Sequence, residues 1–238
     1  MPTTNISTNS ERKIIKFGHR GAWGYEPEHT LSSFKKALEL NVDFIEMDVG
    51  ICKTGEVVLF HDIMINRSTN SRGFLTDKTF NELRTLDAGK GQKIPTLEET
   101  LDLINRKTKV NIELKGEGSA KAVFKIINKY IIECGWEDND FLISSFNHPE
   151  LLKFRKLNPK IKIGAIIAGI PLNYGEFAEK LNAYSVHISK EFINQTLVDD
   201  IHKRGIKAFV YTVNDPDFID KIKSLGVDGI FSDYPDRL

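Results

Sequence analysis

The sequence predicts a single (β/α)8 barrel of the TIM type, on two observations. Short β-rich runs alternate with amphipathic helical stretches almost to the end of the chain, and no linker-like stretch divides them. The strand candidates are residues 14–19, 43–49, 110–115, 141–146, 162–168, 184–188, 207–213 and 228–232. A doubly wound open sheet is the competing arrangement of the same alternation.

Each element has a local reason. Leu31, Phe34 and Leu38, with Ala37 one position off, form an apolar stripe that predicts a helix over 31–40. Thr96 followed three residues later by Glu99 is a capping box, opening a helix over 97–106. Further helices are expected over 120–133, 149–157, 175–181, 190–204 and 216–225, with Gly205 and Gly226 where helix stops belong. One segment breaks the alternation. After 43–49 the chain turns at Thr54-Gly55 and returns over 56–61, the pattern of a β-hairpin. With Thr54-Gly55 as the loop, opposed residue numbers sum to 109, and His61 stands across from Asp48. Residues 62–93 are then an insertion over the barrel mouth, with a short helix over 80–86. Residues 1–12 form a polar N-terminal tail of one domain spanning 1–238.

Composition narrows the function classes. Hydrophobic residues make up 40% of the chain and charged residues 28%, enough to bury a core. Lys plus Arg equals Asp plus Glu at 33 each, a zero formal charge that argues against nucleic-acid partners and stable membrane association. Cys52 and Cys134 fit no metal spacing and are expected as reduced thiols of a cytoplasmic protein. The first dozen residues lack the apolar stretch of a signal peptide, and no run approaches the roughly 18 apolar residues of a membrane span.

The ionisable residues fall at strand ends. His19 and Arg20 close the first strand, Glu46 and Asp48 lie near the end of the second, and Glu113 and Lys115 close the third. Residues at i and i+2 on a strand share a face, so Glu46 projects with Asp48 and Glu113 with Lys115. The hairpin returns His61 to the same layer, at the barrel face where such folds build active sites. Taken singly, His19 is a rim residue, Glu113 and Lys115 an exposed ion pair, and His61-Asp62 a turn. Taken together, the cluster is hard to explain as packing, because burying so many charges without a ligand is costly. His29, His148, His187 and His202 show no neighbours that would make a site. Three carboxylates without cysteine favour Mg2+ or Ca2+ over zinc. Arg20 and Lys115 offer donors to a phosphate, and two histidines can divide base and acid work near neutral pH. That set suits phosphodiester cleavage.

At these residues the chain resembles the glycerophosphodiester phosphodiesterase family. The pieces run in family order: His19-Arg20-Gly21, Pro27-Glu28-His29-Thr30, Glu46-Met47-Asp48-Val49, Thr54-Gly55, His61-Asp62, Pro95-Thr96-Leu97-Glu98-Glu99 and Glu113-Leu114-Lys115. Ser144-Ser145-Phe146, Tyr211-Thr212-Val213-Asn214 and the run from Asp228 to Pro235 follow. The resemblance implies a distorted TIM barrel and a divalent cation held by Glu46, Asp48 and Glu113. It also implies His19 and His61 as the acid/base pair, Arg20 and Lys115 near the phosphate, and a small glycerophosphodiester as substrate. Two positions depart from the family pattern: His29 replaces the usual Asn, and Tyr211 the usual Trp. Tyr211 would still give the substrate an apolar wall and a hydroxyl. Phospholipase D-type cleavage of lysophospholipids is the nearest alternative. A non-enzymatic metabolite-binding barrel, and a transition-metal hydrolase with His19 and His61 as ligands, are further ones.

Overall fold

The computed structural model describes residues 13–238, so the expected polar tail, 1–12, lies outside the described residues. The chain runs β1 (Ile15–Gly18), α1 (Leu31–Glu39), β2 (Phe44–Ile51), β3 (Val57–Leu59), α2 (Phe80–Thr85), α3 (Leu97–Ile104) and β4 (Lys109–Leu114). It continues as α4 (Ser119–Glu133), β5 (Phe141–Ser145), α5 (His148–Leu157), β6 (Lys162–Ile167), α6 (Glu176–Lys180) and β7 (Ser185–Ser189). α7 (Gln195–Lys203), β8 (Lys207–Tyr211), α8 (Pro216–Ser224) and β9 (Gly229–Ser232) complete it.

Every strand except β3 joins one parallel ring, in the order β1, β2, β4, β5, β6, β7, β8, β9. β9 pairs back onto β1, Ile15 with Gly229 through Gly18 with Ser232, and this closure excludes the open sheet. Strand alternation sorts the side chains. Ile45, Met47 and Val49 of β2 and Val110, Ile112 and Leu114 of β4 enter the core shared with the helices. Phe17, Leu142, Phe209 and Phe231 form a separate cluster, in which Phe17 stacks on Phe231 at 4.2 Å between centroids.

Helix ends follow from their caps. Thr96 and Glu99 form the expected capping box, but α3 stops at Ile104 because Asn105 turns left-handed at φ 43. The helix expected over 190–204 begins only at Gln195, where the Asn194 side chain accepts from Leu197 N.

The hairpin is the main correction. Cys52 N donates to Glu56 O, so the loop is Lys53-Thr54-Gly55, three residues long with Gly55 at φ 98. The longer loop moves each opposed pair by one, Val49 facing Leu59 and Ile51 facing Val57. Phe60 N, not His61, therefore bonds Asp48 O at 3.0 Å, and His61 lies one residue beyond. Residues 62–93 carry a 3-10 turn at Leu75–Asp77 and α2, which starts on a Thr79–Glu82 capping box. Ile65, Leu75, Leu83 and Ala88 from this segment pack with Cys52, Val58, Phe60 and Ile94 in a small core of their own. Cys52 and Cys134 are free thiols. Among the described residues no helix is long and apolar enough to cross a membrane.

Candidate active site

β2 and β4 run in register, with Asp48 beside Glu113 and Glu46 beside Asn111. Their neighbours in sequence face the helices, so these four side chains take the opposite face, toward the barrel axis. One oxygen from each of Glu46, Asp48 and Glu113 lies within 4.8 Å of the others. Like charges so close and so dry oppose ionisation. Burial, reinforced by the charge of Asp48, pushes Glu46 well above the usual carboxylate range and Glu113 to about 8. Burial also works to raise Asp48, but the His29 hydrogen bond and the charges of His29, Lys115 and Arg20 hold it well below that range. Asp48 Oδ1 is buried and, among the described residues, accepts no hydrogen bond, although Lys115 Nζ stands 3.4 Å away. An all-oxygen, negatively crowded set in which one buried carboxylate oxygen has only the Lys115 charge near it fits a hard divalent cation, which Glu46, Asp48 and Glu113 could hold. Among the described residues, neither His19 nor His61 belongs to this group.

Each of the two histidines has its own carboxylate. His19 follows β1, and its Nδ1 donates to Asp233 Oδ1 at 2.6 Å. Asn214 Nδ2 holds the other Asp233 oxygen at 2.6 Å. His61 Nδ1 donates to Asp62 Oδ1 at 2.6 Å, and Arg67 Nε holds Asp62 Oδ2 at 2.7 Å. With Nδ1 committed in both rings, Nε2 is left to exchange a proton. Burial pushes His61 below its ordinary value. His19 lines a tight pocket with Glu46, Asn111, Glu113, His187 and Tyr211. His61 lines an adjoining groove of about 400 Å³ with Glu113, Lys115 and apolar walls that include Phe60, Ile63 and Phe146. Glu113 and Phe146 belong to both.

The two expected phosphate donors sit on these carboxylates. Lys115 Nζ bonds Glu113 Oε1 at 2.8 Å. Arg20 is buried at φ 52, its amide donating to Glu46 Oε2 at 2.8 Å and its Nη1 to Glu28 Oε1 at 3.0 Å. Tyr211 ends β8 and lines the tight pocket, but its hydroxyl donates to Ile167 O at 2.9 Å. It presents its ring, and the hydroxyl expected for the substrate is committed to backbone.

Several partners escaped sequence reasoning. Asp62 adjoins His61 and, taken by itself, reads as part of a turn. Asp233 lies 214 residues from His19, and Arg67 and Asn214 hold these carboxylates from other loops. His29, expected to have no neighbours that would make a site, is buried, and its Nε2 donates to Asp48 Oδ2 at 2.8 Å. His187 is also buried, against Ser185 Oγ at 2.9 Å, and burial pushes it down to about 3, so it stays neutral in the wall of the tight pocket.

A family model described as the Glycerophosphoryl diester phosphodiesterase family matches residues 19–237. A glycerophosphodiester phosphodiesterase of Caldanaerobacter subterraneus subsp. tengcongensis is 36% identical, over 95% of this chain and 96% of that one. One from Bacillus subtilis is 30% identical, over 95% and 86%. A solved structure of an Oleispira antarctica phosphodiesterase in complex with the product sn-glycerol-3-phosphate superposes with a TM-score of 0.86. Its identity is 32%, and 93% of each chain is covered.

Proposed function

The chain belongs to the glycerophosphoryl diester phosphodiesterase family, and from that premise we propose that it hydrolyses glycerophosphodiesters to sn-glycerol 3-phosphate and an alcohol. One arrangement supports this reading: two histidines, each steadied at Nδ1 by its own carboxylate, lie in adjoining pockets around three carboxylates, of which Glu46 and Asp48 are buried and Glu113 is partly buried. Glu46, Asp48 and Glu113 hold Mg2+ or Ca2+ in this proposal. When bound, the cation offsets charge developing on the phosphoryl oxygens. With Glu113 taken up by the cation, Lys115 Nζ has its donors available to the phosphate, whereas Arg20 keeps its Nη1 on Glu28 and offers its other guanidinium N–H groups.

Among the described residues no serine or cysteine hydrogen-bonds either catalytic histidine, so the nucleophile is assigned to the substrate. One histidine takes the proton of the glycerol 2-hydroxyl, whose oxygen attacks phosphorus, while the other protonates the departing alcohol oxygen. A five-membered cyclic phosphate results. Water then opens the ring with the proton roles reversed. Intramolecular attack brings an effective molarity of up to about 10⁵–10⁸ M in favourable systems. The test is an analogue of glycerophosphocholine with hydrogen in place of the 2-hydroxyl. It is expected to inhibit competitively without turning over. Turnover at the parent rate would rule out cyclisation and leave water as the nucleophile.

A second reading is cleavage of lysophospholipids, favoured by the apolar walls of the groove beside His61. Assays of glycerophosphocholine beside lysophosphatidylcholine separate the two. Release of sn-glycerol 3-phosphate at the higher kcat/KM supports the first, and preferential release of choline from the lysolipid supports the second.

A further inference from the structure

His29 sits in the loop between β1 and α1, one residue before the α1 N-cap Thr30. Its amide donates to Arg20 O at 3.2 Å, and its side chain is 4% exposed. The imidazole reaches across to β2 and donates from Nε2 to Asp48 Oδ2. Arg20 Nε stands 3.5 Å from the same oxygen. Oδ2 is thus engaged from the α1 side. Among the described residues Oδ1 accepts no hydrogen bond, and it lies toward Lys115, which is itself bonded to Glu113. The last torsion of an aspartate is soft and roughly two-fold, so an unrestrained carboxylate would wander between presentations. A donor fixed on one oxygen removes that freedom.

We propose that His29 is a positioning residue that locks the Asp48 carboxylate with Oδ1 turned to the divalent cation, and thereby sets the affinity of the site. This rests on the proposed function only in requiring a cation at Glu46, Asp48 and Glu113. Outer partners of metal ligands act in this way elsewhere, fixing the ligand's orientation before the metal arrives. His29 also lies at φ 57, a left-handed conformation in which His and Asn are enriched among residues with a side chain. Two substitutions therefore separate backbone from side chain. His29→Asn keeps a residue suited to that backbone but falls short of Asp48 by roughly the width of the imidazole ring. His29→Gln restores an N–H at about the reach of Nε2, on a residue less suited to a positive φ.

The experiment titrates chelator-treated protein with Mn2+, an ion that takes oxygen ligands as Mg2+ does, and follows the free-ion EPR signal. His29→Asn is expected to weaken Mn2+ binding by about 10–100-fold with a near-parental melting temperature. His29→Gln should regain most of that affinity even where its melting temperature falls. Parental affinity in His29→Asn, or affinities that follow melting temperature across the variants, would overturn the proposal. Asp48→Asn is the control that separates the two claims. If it loses Mn2+ while His29→Asn does not, only the role of His29 fails. If it binds Mn2+ like the parent, the cation site itself is wrong.

Discussion

His19 and His61 make the same bond, Nδ1 to a carboxylate 2.6 Å away, on unequal supports. His19 leaves a strand of the closed ring, its amide tied to Ser232 O of β9. Its partner Asp233 is gripped by Asn214, which also accepts from the Asp233 amide. The side chains of this pair are 13% and 15% exposed. His61 lies past the end of β3, its partner is its sequence neighbour, and Arg67 steadies that partner from the inserted segment. The side chains of His61, Asp62 and Arg67 are 34%, 25% and 45% exposed. Barrel closure secures one histidine, whereas a small satellite core secures the other. Such a core can open locally at lower cost than the barrel.

The largest expected effect treats the two alike. Replacing either histidine with Ala should lower kcat by about 10²–10⁴-fold, with circular dichroism unchanged. A variant that keeps parental turnover would remove its histidine from the chemistry. The next effect should split them. Asp233→Asn and Asp62→Asn each replace the carboxylate that fixes a tautomer. The better-buried Asp233 should cost about 10²-fold in kcat, and the wetter Asp62 about tenfold. Equal losses, or the reverse order, would break the contrast between the two supports.

The smallest effect concerns the carboxylates between them. Glu113 holds its proton to about 8 in the folded protein, against an ordinary value of 4.5. Between pH 6.5 and 8 the folded state therefore binds a proton that the unfolded state has released, and stability must fall as pH rises. Histidine contributions are confined mainly to lower pH, because burial depresses His29, His61 and His187 below 6.5. In chelator, the melting temperature of the parent should fall by a few degrees over this window, on the scale of roughly 1 kcal/mol effects. Glu113→Gln should show a shallower decline, because Glu46, also pushed upward by burial, retains its own share. An equal decline in both would assign it to another group.

The ring and the strand-end chemistry were legible because both follow from period-two alternation. Glu46 with Asp48, and Glu113 with Lys115, share a face by spacing alone. The hairpin register was not, since one extra loop residue at Gly55 moves every opposed pair without changing the pattern of the arms. His29 was missed for a different reason. A turn at positive φ aims its ring across the loop at Asp48, a contact that no periodicity announces. Asp233 stood in a visible motif, yet only closure of β9 on β1 brings it to His19. The commitment of the Tyr211 hydroxyl to the Ile167 carbonyl is likewise invisible in the sequence, whereas the Lys115–Glu113 pair is one of the readings that their spacing allows.

The central claim is that two histidines work beside a divalent cation held by Glu46, Asp48 and Glu113. The most direct measurement is turnover of glycerophosphocholine by protein stripped with chelator and verified metal-free, before and after a divalent ion is returned. The account predicts that stripping abolishes release of sn-glycerol 3-phosphate, and that Mg2+ or Ca2+ restores it better than Zn2+. Full turnover by the verified metal-free protein would contradict it.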